Sequence, residues 1–230
     1  MKLPSLRTMT QAGGKLSPDL HRKFAEYAKE HSKRFVVMYG QVEATARMSY
    51  LPWEITLEKY GSMGIAIPGG KFSLIDADGK KITDPGITGE LIYEGPNVTL
   101  GYAEKGTDLI KSDERNGILQ TGDMAKMDED GFYYIVGRKK RFVKIFGNRV
   151  NLDEIERMIK SSFDDIDVAS GGIDDLMYIF IDNNNKVNDV KKFLAEKTGL
   201  NRVAFKVVVI KAIPRNESGK VLYSELASYY

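Results

Sequence analysis

Residues that could bind a ligand follow two of the strands that the sequence predicts. Gly13 and Gly14 come directly after the first predicted strand, and glycines allow a ligand to approach the backbone closely. Tyr39 and Glu43 follow the second strand; an aromatic ring can stack on a nucleobase, and a carboxylate is a ligand that Mg²⁺ prefers. Ligands bind beyond the carboxyl ends of strands in parallel α/β sheets, where both segments fall. Taken alone, these features favour an ordinary loop and an ordinary strand end.

A basic run lies further along the chain, in the segment GRKKRFVK (137–144). Cations interleaved with an aromatic residue are typical of phosphate or nucleic-acid surfaces, and those of this run are Arg138, Lys139, Lys140, Arg141 and Lys144 around Phe142. The overall charge argues against nucleic acid, because 34 Lys and Arg against 32 Asp and Glu give only +2.

Composition excludes several kinds of site. The 230 residues contain no cysteine, which excludes disulfides, thiolate zinc sites, iron–sulfur clusters and a cysteine nucleophile. The two histidines, His21 and His31, are too few for a multi-histidine metal site, and we expect both to be exposed to solvent. We expect no membrane span, since no stretch approaches ~18 apolar residues, and we expect a cytoplasmic location.

The first forty residues predict a strand–helix–strand unit. A short strand over 6–10 precedes Ser17, an N-cap candidate that is followed by Pro18 at the first helical position. The apolar run over 35–39 is typical of a covered parallel strand. Helical spacing places four residues on the buried face of the helix: Leu20, Phe24, Tyr27 and Ala28.

Residues 60–136 predict a β-rich region, because short strands alternate with turn signals. Asp78-Gly79 and Asp130-Gly131 are hairpin signatures. The acidic runs that contain them resemble calcium loops only superficially, since neither has the full ligand spacing.

Residues 140–230 predict a compact α+β region. Strands are expected over 142–145, 166–173, 177–181 and 205–210. Asn151 is the expected N-cap of one helix; a second helix begins at Asn188 and ends at Gly199, and a final helix follows Gly219-Lys220.

Four segments together carry a family resemblance: YGQVEATARMSYLP (39–52), GELIYEGPNVTLGY (89–102), TGDMAKMDEDGFYYIVGRKKRFVKIFGNRVNLDEIE (121–156) and IPRNESGKVLYSEL (213–226). In this order and spacing they resemble the carboxyl-terminal part of the AMP-forming acyl synthetases, from about Leu6 to the end. The resemblance implies an α/β plus α+β fold: a partial parallel α/β unit with a β-rich subdomain, followed by a small mobile α+β carboxyl-terminal domain.

The resemblance implies a nucleotide site for ATP or AMP with Mg²⁺. Asp123 would accept hydrogen bonds from the ribose hydroxyls, Arg138 would also reach the ribose, and Glu43 would hold the metal. The adenylate site would be lined by Gly13, Gly14, Tyr39 and Gly40. Val42 departs from the family, which usually has Thr there to contact the α-phosphate.

Further roles follow for the carboxyl-terminal domain. Lys220 would serve adenylation, Lys144 would lie on the strand that faces the site in the thiol step, and Lys140 would be the hinge. The expected domains are 1–138, made of 1–59 and 60–138, and 139–230, with the hinge at 138–140.

The expected activity is that of a carboxylic acid–thiol ligase, which makes acyl-AMP and then a thioester of CoA or of a carrier phosphopantetheine. The alternative is a noncatalytic remnant or module that binds AMP or ATP weakly, or that docks on a partner ligase or carrier. We find no Ser/Thr/Gly-rich loop ending in Pro-Lys, which in the family cradles the β- and γ-phosphates. We therefore expect a truncated chain that needs an amino-terminal half or a partner chain, with open sheet edges that could form an oligomer. The sequence leaves the acid open.

Overall fold

A computed structural model describes residues 4–14, 16–217 and 219–230. The chain divides into two compact units, Met1–Val136 and Gly137–Tyr230. Each unit has its own hydrophobic core. The hinge expected at residues 138–140 stays a prediction, because it concerns motion.

A four-stranded sheet opens the first unit. It contains β1 (Thr8–Gln11), β2 (Arg34–Tyr39), β3 (Ser49–Tyr50) and β4 (Ile65–Ala66), in that order across the sheet. β1 and β2 are parallel, with Thr8 opposite Arg34 and Gln11 opposite Val37, whereas β3 pairs antiparallel with β2 and β4. The predicted parallel pair therefore exists, and its carboxyl ends lie at one edge of the sheet.

Helix α1 (Pro18–Glu30) connects the two parallel strands. Ser17 is its N-cap, as predicted, and its hydroxyl accepts a hydrogen bond from the Leu20 amide. The predicted buried face is correct only for Ala28. His21, Ala25 and Ala28 face the core, and the larger Leu20, Phe24 and Tyr27 are 46%, 42% and 39% exposed. Because the side chains of Ala25 and Ala28 are small, the helix backbone can lie close to β2. The helix therefore buries the face that carries these alanines, and the larger apolar residues lie beside that face.

His21 is buried, so the expectation that it is solvated is wrong. The side chain is 1% exposed and lies 5.7 Å from the Phe35 ring, measured between centroids. The Gly61 amide donates to Nδ1 at 2.9 Å, so Nε2 carries the hydrogen and donates to the Thr56 hydroxyl at 2.8 Å. Burial lowers the pKa of His21. His21 is a neutral structural residue that joins α1 to the 56–61 segment, whereas His31 is exposed as expected.

A five-stranded sheet completes the first unit, in the order β6-β5-β7-β8-β9. Its strands are β5 (Lys71–Ile75), β6 (Lys81–Ile82), β7 (Gly89–Glu94), β8 (Ile118–Met127) and β9 (Tyr133–Arg138). Both predicted hairpin turns are present, with positive φ at Gly79 (80°) and Gly131 (83°). Leu91 and Tyr93 of β7 are fully buried and share a core with Met48 and Met63.

The second unit is an α+β structure. Its three-stranded sheet has the order β12-β13-β14, with β13 antiparallel to β12 and parallel to β14. The elements in chain order are β10 (Phe142–Ile145), β11 (Asn148–Asn151), α2 (Leu152–Ser162), β12 (Val168–Ile173), β13 (Leu176–Ile181), α3 (Val187–Thr198), β14 (Phe205–Val209) and α4 (Tyr223–Leu226).

Local signals set several boundaries in this unit. Asn151 caps α2 through a 2.9 Å bond from the Asp153 amide, and Gly199 ends α3 with φ 70°, as predicted. α3 begins at Val187, one residue before Asn188. β10 and β11 form a hairpin that was not predicted; its turn residues Phe146 and Gly147 have φ 47° and 85°. The described part of the chain contains no helix with the length and apolar character needed to span a membrane.

Candidate nucleotide site

Both glycine-containing segments lie where the sequence analysis expects a ligand. Gly13 and Gly14 follow β1, and Tyr39 ends β2, so the parallel register places all three at the same edge of the sheet. Gly13 has φ 88°, and the Gln11 side-chain amide donates to the Gly14 carbonyl at 2.6 Å. Gly13 and Gly14 are exposed. The backbone of this loop is therefore open to solvent.

Tyr39 and Asp123 are in direct contact, although 84 residues separate them. The Tyr39 hydroxyl donates to the Asp123 carboxylate at 2.6 Å. Asp123 lies in β8 and is 4% exposed, so hydrogen bonds from the protein, rather than bulk water, solvate its carboxylate. The structure therefore joins two of the predicted nucleotide-binding residues.

Gln41 is a member of this cluster that the sequence analysis missed. Its side-chain amide donates to the Asp123 carboxylate at 2.9 Å and to the Thr121 carbonyl at 2.9 Å. The only signal in the sequence was its position between Tyr39 and Glu43. Gln41 and Tyr39 thus fix Asp123 from one side.

Gly40 has a steric reason to be glycine. A Cβ atom built there would lie 2.2 Å from the Ala46 carbonyl oxygen, which belongs to the backbone and cannot turn away. The segment from Gln41 to Ala46 therefore folds back tightly against the end of β2. This fold-back places Gln41 and Glu43 beside the strand end.

Glu43 is held by two segments of the first unit. The Tyr102 hydroxyl donates to its carboxylate, and the Thr99 amide donates to its carbonyl at 2.9 Å. Arg115 stacks over the Tyr102 ring at 4.6 Å. The hydrogen bond to Glu43 is the main cause that raises the pKa of Tyr102. Glu43 was predicted from the sequence, whereas its neighbours from the 99–116 segment, Thr99, Tyr102 and Arg115, were not.

The Glu43 carboxylate is compatible with a Mg²⁺ ion whose other ligands come from a bound nucleotide and water. Residues 4–14, 16–217 and 219–230 contain no cluster of three or more His, Cys, Asp or Glu side chains that could hold a metal. Mg²⁺ is commonly bound by one or two carboxylates, with substrate phosphates and water as the other ligands. A single Glu43 carboxylate therefore suits a metal that arrives with a nucleotide. Val42, beside it, is 85% exposed and has no hydroxyl.

The acidic turn at 128–130 is an ion-pair site. Lys59 contacts both Asp128, at 2.9 Å, and Asp130. The hydrogen bonds to Asp130 and Asp128 raise the pKa of Lys59, which keeps it charged. The turn carries its own cation, in agreement with a hairpin rather than a calcium loop.

The basic run contains four exposed cations and one that is mostly shielded from solvent. Arg138 ends β9, and Lys139 and Lys140 lie in the turn Lys139–Arg141 with exposed side chains. Lys144 is exposed on β10 between buried Val143 and Ile145. The predicted basic surface therefore includes all of these residues except Arg141.

Arg141 is the cation of the run with little contact with solvent, since its side chain is 11% exposed. Its guanidinium donates to Asp153 at 2.8 Å, to Glu156 at 2.6 Å and to the Ser170 carbonyl at 2.7 Å. Burial opposes its charge, but Glu156 and Asp153 outweigh that effect and raise the pKa of Arg141. The side chain joins the 139–141 turn to α2 and β12.

Lys220 lies in the second unit, in the loop before α4, and its side chain is exposed. Ser218, two residues earlier, lies outside the described residues. Arg138, Lys140, Lys144 and Lys220 belong to the second unit, whereas the Tyr39–Asp123 pair belongs to the first.

Comparison with known proteins supports the family resemblance. A family model described as AMP-binding enzyme matches residues 1–103. Relatives include 4-coumarate–CoA ligase-like 2 of Arabidopsis thaliana, 29% identical over 97% of this chain and 41% of its own length. Long-chain-fatty-acid–CoA ligase of Salmonella typhimurium is 32% identical over 82% of this chain and 34% of its own length. The chain thus spans 34% to 41% of the length of these two relatives.

Solved structures with the same fold include a coenzyme A synthetase and an amide bond synthetase. o-Succinylbenzoate coenzyme A synthetase of Bacillus subtilis, in complex with ATP and magnesium ion, matches with a TM-score of 0.73, 24% identity, and coverage of 98% of this chain and 47% of that chain. An amide bond synthetase of Marinactinospora thermotolerans matches with a TM-score of 0.72 and 19% identity. At these identities the likeness shows the fold alone, and it confirms the predicted fold class. The family model and these relatives confirm the resemblance to the AMP-forming acyl synthetases that the sequence motifs predict.

Proposed function

We propose that the chain is the carboxyl-terminal portion of an AMP-forming carboxylic acid–thiol ligase. In the complete reaction, an acid and ATP give acyl-AMP and pyrophosphate, and a thiol then displaces AMP to give a thioester. The observation that carries this proposal is the 2.6 Å bond between Tyr39 and Asp123, which joins two separate family segments at one place.

The first unit would hold the nucleotide. The Tyr39 ring would stack on adenine, with Gly13, Gly14 and Gly40 allowing the backbone to approach the nucleotide. Asp123 would accept from the ribose hydroxyls, a role supported by the Tyr39 and Gln41 bonds that fix its carboxylate. Arg138, which belongs to the second unit, would be a second ribose contact. Glu43 would hold Mg²⁺ between the protein and the phosphates, a role that suits its position in a tight turn held by Tyr102 and Thr99.

The second unit would supply a different lysine to each step. The Lys220 ammonium would contact the acid carboxylate and the α-phosphate during adenylation, where charge develops. Lys144 would act in the thiol step, together with the strand that continues to Gly147. Lys140 would be the hinge between the domains 1–138 and 139–230, because both lysines would have to reach one site.

The thiol would be CoA or a carrier phosphopantetheine. Two relatives are named as CoA ligases, and the B. subtilis synthetase has been solved with AMP, with ATP and magnesium, and with an acyl-adenylate. The acid stays open, because no described residue of this chain has been assigned to its pocket.

The 230-residue chain would not form acyl-adenylate alone. No segment of its sequence matches the Ser/Thr/Gly-rich loop ending in Pro-Lys that the family uses for the β- and γ-phosphates. An amino-terminal half or a partner chain would supply it, and β1, at one end of the strand order, offers an edge for pairing or for an oligomer. The cytoplasm is the proposed location.

The proposal is tested by two measurements on the purified chain. We expect no exchange of labelled pyrophosphate into ATP, and we expect AMP binding by calorimetry. Asp123→Asn should weaken AMP binding by about tenfold or more, because a hydrogen bond to a charged group is worth roughly 1.5–3 kcal/mol. Asp84→Asn, an exposed loop residue of the same unit, is the matched control. Vigorous exchange by the chain alone contradicts its proposed incompleteness, and equal AMP affinity in both variants contradicts the site.

Val42 favours a second candidate, a noncatalytic module that binds a nucleotide weakly or docks on a partner. An exposed valine offers no hydrogen bond to a phosphate at this position. Supplying an amino-terminal half from a relative separates the two proposals. Pyrophosphate exchange in that mixture supports the ligase, whereas AMP binding without exchange supports the module.

A further inference from the structure

The loop that carries Lys220 is anchored in the core of the second unit at both ends. Ile213 is 6% exposed and Leu226 is 1% exposed, and both pack in a cluster with Ala169, Tyr178 and Phe180. Between these anchors, Arg215 and Val221 form an antiparallel bridge, and the Leu222 amide donates to the Pro214 carbonyl at 2.9 Å. The loop is therefore a short hairpin that projects from a fixed base.

The backbone on either side of Lys220 is fixed within this hairpin. The Asn216 amide donates to the Lys220 carbonyl at 2.9 Å, and the Lys220 amide donates to the Asn216 side-chain oxygen at 2.9 Å. The Gly219 amide donates to the Asn216 carbonyl at 2.8 Å, with Gly219 at φ 78°. These bonds hold the tip together but do not tie it to the rest of the unit.

Arg215 ties the tip to the sheet. One end of its guanidinium, Nη1, donates to the Gly219 carbonyl at 3.0 Å. The other end, Nη2, donates to both carboxylate oxygens of Asp167, at 2.8 and 2.9 Å. Asp167 directly precedes β12, and its own amide donates to the Asp182 carboxylate at 2.9 Å. One side chain thus connects the residue before Lys220 to the sheet.

Tyr223 restrains the other side of the loop. Its hydroxyl donates to Glu156 at 3.0 Å, and its ring lies 3.8 Å from the Arg141 guanidinium carbon. Burial and the Glu156 charge raise the pKa of Tyr223, so it stays protonated as a donor. Tyr223 is half-buried and its partner Glu156 is 8% exposed, whereas the Arg215 and Asp167 side chains are 34% and 36% exposed. The Arg215–Asp167 pair can therefore be changed with less disturbance of the core.

We propose that Arg215 and Asp167 are positioning residues that hold the Lys220 loop in one conformation on the second unit. This rests on the proposed role of Lys220. A fixed loop presents the ammonium in a defined direction, which lowers the entropy lost when the charge must meet a reacting group. The geometry needs arginine, because a planar fork can bind the Gly219 carbonyl and the Asp167 carboxylate at once, whereas a lysine ammonium is a single point charge.

Hydrogen exchange of backbone amides, followed by NMR on the 230-residue chain without nucleotide, tests this proposal. Arg215→Lys and Asp167→Asn should each speed exchange at Gly219 and Lys220 by about tenfold, because the tip loses its tie to the sheet. Amides of β12 and β13 should keep their rates, except that of Val168, which donates to the Asp167 carboxylate at 3.0 Å and serves only as a local reporter. Asp167→Glu keeps the carboxylate and should restore most of the protection.

Asp165→Asn is the matched control. Asp165 lies two residues from Asp167 and pairs with Lys186 at 3.3 Å, outside the loop. It should leave the Gly219 and Lys220 rates unchanged. Wild-type rates in Arg215→Lys and Asp167→Asn would overturn the proposal, and so would equal acceleration across the whole unit, which would indicate a general loss of stability. The result does not depend on adenylate formation, so it is separate from the outcome of the pyrophosphate test.

Discussion

Replacing Tyr39 by phenylalanine removes one oxygen atom and two hydrogen bonds. The Tyr39 hydroxyl donates to the Asp123 carboxylate at 2.6 Å and accepts from the Gln41 side-chain amide at 3.2 Å. Asp123 is 4% exposed, so water cannot easily take the place of the lost donor. The ring itself stays, including its packing against Phe72 at 6.4 Å between centroids. Tyr39→Phe therefore isolates the contribution of the hydroxyl, in which the shorter bond to the charged Asp123 carboxylate is the stronger one.

The expected loss is about 1.5–3 kcal/mol of unfolding free energy, the usual range for a hydrogen bond to a charged group. With a urea slope of roughly 2 kcal/mol per M, the unfolding midpoint should fall by about 1 M. Trp53 is the only tryptophan in the sequence and lies in the first unit. Its fluorescence therefore follows the unit that contains the mutation.

Tyr102→Phe is the matched control. It removes the same group from a bond to another carboxylate, that of Glu43, but Tyr102 is 65% exposed. Its midpoint should stay within experimental error of the wild type. Asp123→Asn combined with Tyr39→Phe should destabilise less than the sum of the single changes, because the two residues share the bond. A Tyr39→Phe midpoint equal to the wild type, or full additivity in the double variant, would refute the reasoning.

Three other predictions follow. Burial lowers the pKa of His21 from 6.5, so the unfolded chain binds a proton first; stability should fall below about pH 6.5, by at most ~1.4 kcal/mol per pH unit. Urea titrations followed by Trp fluorescence should show this slope in His31→Gln and lose it in His21→Gln; a persistent slope in His21→Gln would contradict the assignment. Glu156→Ala removes one of the two carboxylates that pair with Arg141 and also the acceptor of the Ser170 amide. It should cost about 3–5 kcal/mol, measured by hydrogen exchange in β12 and β13, whereas exposed Glu196→Ala should change little. Lys140→Pro fixes φ near −65° and, in a completed enzyme, should slow one half-reaction much more than the other when the two are assayed separately. An equal loss of rate in both half-reactions, or no loss in either, would contradict a hinge at Lys140.

Local signals in the sequence predicted the element boundaries well. Ser17, Asn151 and Gly199 act within one helical turn of their own positions, so their neighbours in the sequence suffice to predict them. The buried face of α1 could not be predicted in the same way. Leu20, Phe24 and Tyr27 have the right spacing, but the small side chains of Ala25 and Ala28 decide which face packs on β2.

The sequence predicted those residues of the candidate site that belong to recognisable motifs. Tyr39, Glu43 and Asp123 each belong to a recognisable segment, and the structure joins two of them directly. Gln41 and Tyr102 were missed, because their importance depends on partners 82 and 59 residues away in the sequence. A glutamine or an exposed tyrosine has no distinctive pattern until the fold brings it to a carboxylate.

Arg141 limits where a hinge in this chain can lie. In the sequence it is one of five cations in an exposed-looking run, but in the structure it binds Glu156 and stacks on Tyr223. Tyr223 begins the helix that follows the Lys220 loop. The end of the 139–141 turn and the Lys220 loop are therefore attached to the same buried network. A rotation beyond Arg141 would have to break that network, whereas a rotation before it would carry the network and Lys220 together. Any hinge that moves Lys220 as part of a rigid unit must then lie at or before Lys140.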